Sequence, residues 1–366
     1  MADPQPCHRG PVTTTLSMAS ESTPAARGIA NIGNTCYLNS AIQALRYTPA
    51  FAEYFCSDAW KAHSHDSRKG AELTKETAAV VAELCSTGQK TLVPGKFVRS
   101  FVAAASEIND DIHYGAQADC AEAIHILLDM LHTHLAREVV MNIRGEARSP
   151  AAAEYIKSLE SWVSFFHKEY SPLLDMFYGQ TRSRVICERC AATSDRYEPW
   201  NVLTLPIPGA EKAGAPAPTL QECLAARFAD EKLDDYDCSQ CRDKVPAKIE
   251  NTLSRFPQYL ILSLKRFTNT GAKVRARIPY DDGHVDLSSW RSWTGLQIQE
   301  TAHYRVYATI EHMGSSQMGH YIMRARGSGS GSWLIHDDAT TYPSHVGGAA
   351  GPDTYVLFLE RKEAPK

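Results

Sequence analysis

Helical periodicity in the first half of the chain and short β-rich runs in the second predict an α+β protein, not a series of βαβ units. Two Cys-x-x-Cys pairs inside the β-rich half point to an extension tied by a metal. A single cysteine at the start of the first helix points to nucleophilic chemistry.

The helices come first. Leu38, Ile42 and Leu45 recur at helical spacing after Cys36, with Asn34 or Thr35 as the cap and Thr48-Pro49 closing the run. A second helix is expected over 71–85 through Leu73, Val80, Val81 and Leu84, and a third after Pro94-Gly95 through Phe97, Val98, Phe101 and Val102. Ile124, Leu127, Leu128 and Leu131 mark a fourth over 118–135. Near Tyr178 the pattern changes to strands, expected at 183–186, 200–207, 259–264, 304–310, 321–324, 333–335 and 355–359. Gly-, Pro- and Ser-rich loops are expected at 209–218, 327–332 and 347–351, the second as a hairpin loop. Residues 1–27, rich in Pro, Thr, Ser and Ala, read as a disordered tail and lack the apolar segment of a secretion signal.

With 366 residues, 43% of them hydrophobic and 22% charged, the composition is that of a globular enzyme with room for one large domain or two to three sub-domains. A net charge of −4 gives no electrostatic reason to expect nucleic acid, and no apolar run has the length of a membrane span. Ten cysteines, four of them in Cys-x-x-Cys pairs, favour metal binding in a reducing compartment, hence cytoplasm or nucleus.

The segment Gly28-Ile29-Ala30-Asn31-Ile32-Gly33-Asn34-Thr35-Cys36 leads from turn to helix. Cys36 falls in the first turn, where unpaired N–H groups and the helix dipole favour a thiolate. Asn31, five residues earlier, carries an amide that can stabilise an oxyanion near that sulfur. Cys187-Glu188-Arg189-Cys190 and Cys238-Ser239-Gln240-Cys241 each bring two sulfurs to one ion, and together they make a closed four-cysteine site suited to structural Zn2+. Their wide separation puts each at the tip of its own β-hairpin.

Of the fourteen histidines, His320 has the best-placed neighbours. It opens a strand-like run, the Gly/Ser loop turns the chain, and residues 332–338 return. A hairpin closed by that loop lays Asp337 or Asp338 across from His320, where a carboxylate fixes the tautomer of a catalytic imidazole. Register alone leaves both aspartates open. Gly319 allows substrate backbone to approach closely. His125, His132 and His134 lie on a helix, His63 and His65 in a polar loop, and His336 alternates away from Asp337.

These blocks together resemble the catalytic domain of a ubiquitin-specific protease. Residues 28–44 resemble that family's cysteine box, and Gln117-Ala118-Asp119-Cys120-Ala121-Glu122 with Leu127-Leu128-Asp129 its glutamine–aspartate box. The run from Phe256 to Leu264-Lys265-Arg266-Phe267 resembles the palm strand; Gly319-His320-Tyr321, Trp333 to Asp338, and Tyr355 to Arg361 resemble the histidine box and closing strand. The resemblance implies a papain-like thumb (28–175), zinc-tipped fingers (176–255) and a palm (256–366). It makes Cys36 the nucleophile, His320 the base, Asp337 the third triad member, Asn31 an oxyanion-hole residue and Asp338 a supporting one. Asp119, Glu122, Gly319 and Tyr321 become candidates for contact with substrate. The implied reaction is hydrolysis after the C-terminal glycine of ubiquitin through a thioester, by a monomer with ubiquitin and ubiquitinated proteins as partners and no catalytic cofactor. A protease for a ubiquitin-like modifier and an inactive ubiquitin-binding scaffold are the alternatives. His336, Cys120 and Leu359 depart from the family pattern, and none removes a group the chemistry requires. No accessory domain is expected outside the core.

Overall fold

The computed structural model describes residues 27–86, 88, 90–209, 216–281, 283–293, 301–316, 318–327, 332–344 and 351–362. The expected tail at 1–26, most of the loops at 209–218 and 347–351, and the tip of the Gly/Ser loop lie outside the described residues.

The chain opens with helix α1 (Cys36–Arg46), every residue of which is buried. That burial makes α1 the axis on which the rest is assembled. Thr35 takes the N-cap position without a side-chain cap bond, because its Oγ1 accepts the Ile32 N–H instead. Helix α2 (Pro49–Cys56) follows at once, then α3 (Ala71–Cys85), α4 (Gly95–Ala105) and α5 (Cys120–Leu135). Asp119 caps α5 by accepting from the N–H groups of Ala121 and Glu122. Helices α6 (Pro150–Phe166) and α7 (Pro172–Phe177) complete the helical half. The hydrophobic pattern did not predict α2, α6 or α7. Each starts with a Ser or Thr followed by Pro at the first helical position, a local signal independent of periodicity.

Strands β1 (Gly179–Cys187), β2 (Thr193–Trp200), β4 (Glu231–Cys238) and β5 (Asp243–Arg255) form a four-stranded antiparallel sheet in the order β2-β1-β5-β4. Between them, β3 (Leu203–Leu205) and α8 (Leu220–Arg227) turn away to the larger sheet, so residues 176–255 do not form one continuous finger segment. That larger sheet has the order β11-β10-β9-β8-β12-β6-β3, with β7 (Val285–Asp286) paired to β8. Its members are β3, β6 (Tyr259–Leu264), β8 (His303–Gly314), β9 (Gly319–Arg326), β10 (Trp333–Asp337), β11 (Thr340–Ser344) and β12 (Thr354–Arg361). All its pairings are antiparallel except β3 with β6.

Alternation along the central strands builds two cores. Tyr259, Ile261, Val356 and Phe358 face the helices, in one cluster with Leu38, Ile42, Leu45 and Leu127. Leu260, Leu262, Leu264, Leu357 and Leu359 face the other way, toward Leu220 and Leu224 of α8. Helix α1 is thereby held between α5 on one side and β8, β9 and β10 on the other. Among the described residues, no helix is long and apolar enough to cross a membrane.

His336 of β10 belongs to this packing. Its Nε2 meets the Tyr47 hydroxyl at 2.9 Å, and burial, aided by nearby Arg46, lowers its pKa to about 3. His312 on β8 is lowered to about 4, chiefly by burial and then by Lys273. Both groups favour the neutral form in the folded state, so their stability contribution is complete above an unfolded pKa of about 6.5 and is lost as pH falls toward those values. Replacing His336 by Phe should therefore shift the acid limb of a denaturation profile to lower pH. An acid limb identical in wild type and variant would contradict this.

Candidate active site

Cys36 is the first residue of α1 and is 3% exposed. Burial raises its pKa above the ordinary value, and the carboxylate of Asp338 pushes the same way. Hydrogen bonds from the backbone of Tyr321, Tyr37 and Cys36 itself oppose the shift without cancelling it. The helix start alone predicts a favoured thiolate; in the folded protein desolvation works against it. A base is needed to ionise it.

The candidate base, His320, lies on the β9–β10 hairpin. Trp333 lies opposite Arg326 and His336 opposite Met323, a register shifted slightly from the one expected. Continued along the strands, it sets Asp337 opposite Ile322, with His320 two residues further on the same face. The diagonal contact is close: Nε2 of His320 lies 2.7 Å from Oδ1 of Asp337. Asp338 belongs to the turn beyond β10, with a left-handed φ of 47°. Strand parity and this turn, not direct opposition, separate the two aspartates.

Asp338 faces α1 instead. Its Oδ2 accepts from Asn31 Nδ2 at 2.9 Å and its Oδ1 from Asn39 Nδ2 at 2.8 Å. Its carbonyl accepts the Ile29 N–H at 2.7 Å. The Asn31 side-chain carbonyl is used as well, taking the N–H groups of Gly33 and Thr35. One Asn31 amide hydrogen is thus committed to Asp338, and the side chain is fixed from both ends. Asn39 carries no sequence expectation. Its position three residues after Cys36, on the same helix face, is the signal that marks it.

Gly28 lets these segments touch. A Cβ there would lie 2.2 Å from the carbonyl oxygen of Ala339. At Gly319 a Cβ would meet His312 Nε2 at 2.0 Å, so that glycine serves close packing behind the histidine. Its peptide is held in front by Gln117, whose Nε2 donates to Gly319 O at 2.7 Å and whose Oε1 accepts from Gly319 N at 2.9 Å.

The family model described as Ubiquitin carboxyl-terminal hydrolase matches residues 27–359. The chain belongs to this family. Ubiquitin carboxyl-terminal hydrolase 2 of Bos taurus is 28% identical over 359 residues, covering 95% of this chain and 57% of that protein. The Drosophila melanogaster ubiquitin carboxyl-terminal hydrolase Usp2 is 28% identical over 362 residues, 95% of this chain and 36% of its own length. The chain therefore spans little more than half, or less, of these relatives. Among solved structures, the SAGA DUB module Ubp8/Sgf11/Sus1/Sgf73 bound to monoubiquitin superposes with a TM-score of 0.69 at 19% identity. That match covers 97% of this chain and 73% of the matched one, and it shows a shared fold.

Within this ubiquitin carboxyl-terminal hydrolase fold, the other expected site residues divide. Asp119 has both oxygens engaged, one capping α5 and the other accepting from the Tyr355 hydroxyl. Glu122 accepts from Asn109 Nδ2 at 2.7 Å on the exposed helix face. Both border a cleft of about 540 Å³ between α5 and the larger sheet, also lined by His125, Ser263, Phe267 and Tyr355. Tyr321 has its ring buried against His312 and Tyr355, and both its backbone and its hydroxyl lie near enough to Cys36 to act on it.

At the far end of the smaller sheet, Cys187 closes β1 and Cys238 closes β4, each at a hairpin tip as expected. Ala191 and Arg242, with left-handed φ of 57° and 51°, turn the two knuckles alike. The four Sγ atoms of Cys187, Cys190, Cys238 and Cys241 lie within 4.8 Å of one another and could hold one metal ion. Cys187 and Cys241 are 3.8 Å apart, and Cys190 and Cys238 3.7 Å. Four sulfurs at about 2.3 Å around a tetrahedral zinc would be separated by about 3.8 Å, so the donor set fits that ion.

Gly28→Ala should destabilise the fold by about 1–3 kcal/mol, because the Asp338–Ala339 turn must withdraw from α1. Chemical denaturation measures it; an unchanged midpoint would mean that the close approach is not required.

Proposed function

We propose that this chain is a cysteine-dependent deubiquitinase that cleaves the isopeptide or peptide bond after the C-terminal glycine of ubiquitin. The observation that carries the reading is the 2.7 Å contact of His320 with Asp337 beside the helix that begins at Cys36, in a member of this hydrolase family.

With Nε2 of His320 bonded to Asp337, Nδ1 is the nitrogen left to take the Cys36 proton. The thiolate attacks the glycine carbonyl, and the negative charge passes to the carbonyl oxygen. The second hydrogen of Asn31 Nδ2 and the N–H groups at the start of α1 are the donors for that oxyanion, each well-placed donor contributing about 3–4 kcal/mol. Asp338 holds Asn31 ready for this. His320 then returns the proton to the departing lysine amine, leaving a thioester. Water, deprotonated by His320, attacks the thioester and frees Cys36. The cleft of about 540 Å³ beside Asp119, Glu122 and Tyr355 is the candidate path for the ubiquitin tail.

Cys187, Cys190, Cys238 and Cys241 would hold Zn2+. A closed set of four sulfurs leaves no position for water, so the ion would cross-link the two hairpin tips and take no part in the reaction. The reading is of an intracellular enzyme, in cytoplasm or nucleus, acting as a monomer on ubiquitinated proteins.

The purified protein should form a covalent adduct with ubiquitin bearing a C-terminal electrophile, and Cys36→Ala should abolish it. Asn31→Ala should lower kcat about 100-fold or more. Adducts with SUMO- or NEDD8-type probes but not with ubiquitin would reject the substrate assignment. Removing zinc with a chelator should lower the melting temperature and loosen the hairpin tips before the Cys36 reaction with a small electrophile is lost. Metal-free protein with unchanged melting and full activity would reject the structural ion.

A further inference from the structure

Strand β9 carries His320, and β10 pairs with it from Trp333 opposite Arg326 as far as His336 opposite Met323. Toward its start β9 runs on past that register, with β8 beside it as far as Gly314 opposite Gly319. There one side chain supplies the pair of hydrogen bonds that a further strand would make. Gln117 Nε2 donates to the Gly319 carbonyl at 2.7 Å, and Gln117 Oε1 accepts the Gly319 N–H at 2.9 Å. A glutamine amide holds a donor and an acceptor at one tip, so it can close such a two-point contact by itself.

The Gly319 carbonyl belongs to the peptide group that joins Gly319 to His320, and the direction of that peptide sets where the His320 side chain departs from the strand. Glycine leaves a peptide freer to rotate than any other residue does. A larger residue is not accommodated, because a Cβ at Gly319 would collide with His312 Nε2 and the Met313 carbonyl. Packing therefore demands a glycine just before His320, and the freedom that comes with it has to be removed from outside. Gln117 is itself held on both sides. The Tyr114 hydroxyl donates to the Ile32 carbonyl at 3.2 Å, and Asn34 Nδ2 donates to the Gly115 carbonyl at 2.7 Å. Two residues after Gln117, Asp119 caps α5. Residues 114–117 thus touch the turn before Cys36 and the residue before His320.

We propose that Gln117 is a positioning residue: it fixes the Gly319–His320 peptide relative to the turn before Cys36, and so sets the His320 imidazole where it can take the Cys36 proton. This rests on the reading of His320 as the base. Gln117 is exposed, so its bonds compete with water and add little stability. Its effect falls on the geometry of proton transfer, where a displacement of about 1 Å can cost about 100-fold in rate.

The test is a double-mutant cycle on the full chain, purified with its metal. Gln117→Met keeps the length of the side chain and removes both bonds; Gln117→Glu keeps the acceptor and removes the donor. Each is made alone and together with His320→Ala. Two rates are read: hydrolysis of a fluorogenic amide at the C-terminus of ubiquitin, and alkylation of Cys36 by iodoacetamide across pH, followed by mass spectrometry of the Cys36 peptide. Both single variants should lower kcat about tenfold or more with KM within about twofold, at a nearly unchanged melting temperature. Their alkylation profiles should move to higher pH, because a displaced imidazole no longer favours the thiolate. With His320→Ala, neither substitution should slow alkylation further, since the group through which Gln117 acts is gone. Equal losses in both backgrounds would overturn the proposal. So would a raised KM at unchanged kcat, an unchanged alkylation profile, or a melting temperature low enough to unfold both variants in the assay. Alkylation reads Cys36 and His320 without ubiquitin. Wild-type protein that ignores ubiquitin yet shows this coupling would reject the substrate reading and leave the role of Gln117 standing.

Discussion

The carboxylate of Asp338 is the joint on which the site depends. It binds Asn31 before α1 and Asn39 within α1, while its carbonyl receives the Ile29 N–H. Three hydrogen bonds thus join segments about three hundred residues apart, and the two to the carboxylate are charge-assisted, among the stronger kind. The left-handed turn at Asp338 is what aims it at α1, and the absence of a side chain at Gly28 is what lets the segments close. With the turn held, the preceding residue, Asp337, is fixed on the face that meets His320.

Burial sets the electrostatics of Cys36. The open N–H groups at the start of α1 favour charge on Cys36, but burial and the Asp338 carboxylate push its thiol up. The same carboxylate that binds Asn31 and Asn39 therefore penalises a thiolate at Cys36. The His320 imidazole, held by Asp337 on the neighbouring strand, is the candidate base for the Cys36 proton. The four sulfurs of the finger tips are a separate matter. They lie on a different sheet, and their geometry bears on how the extension is held together.

Much of this was legible because local rules and tertiary packing agree. Amphipathic periodicity located α3 at its observed limits, and six-residue strand β6 was evident as a continuous apolar run. The helices that escaped, α2, α6 and α7, have Ser/Thr-Pro starts, which carry information that a hydrophobic count ignores. Thr219 and Glu222 do the same for α8 through a capping box. Strand β4, exposed along most of its length, has little apolar alternation to detect. The hairpin knuckles that bound it were visible because cysteine spacing is independent of burial.

The sequence by itself determined the α+β class, the identity of Cys36 and His320 as candidates, and the pairing of two Cys-x-x-Cys turns, because each rests on residue type and short-range spacing. Tertiary structure decided which aspartate meets His320, since that depends on strand register and parity. It also decided that burial pushes the Cys36 thiol up, that Tyr321 turns its ring inward, and that Asn39 binds Asp338 and Gln117 binds Gly319. Those outcomes follow from desolvation and from contacts between distant segments, which spacing along the chain does not encode.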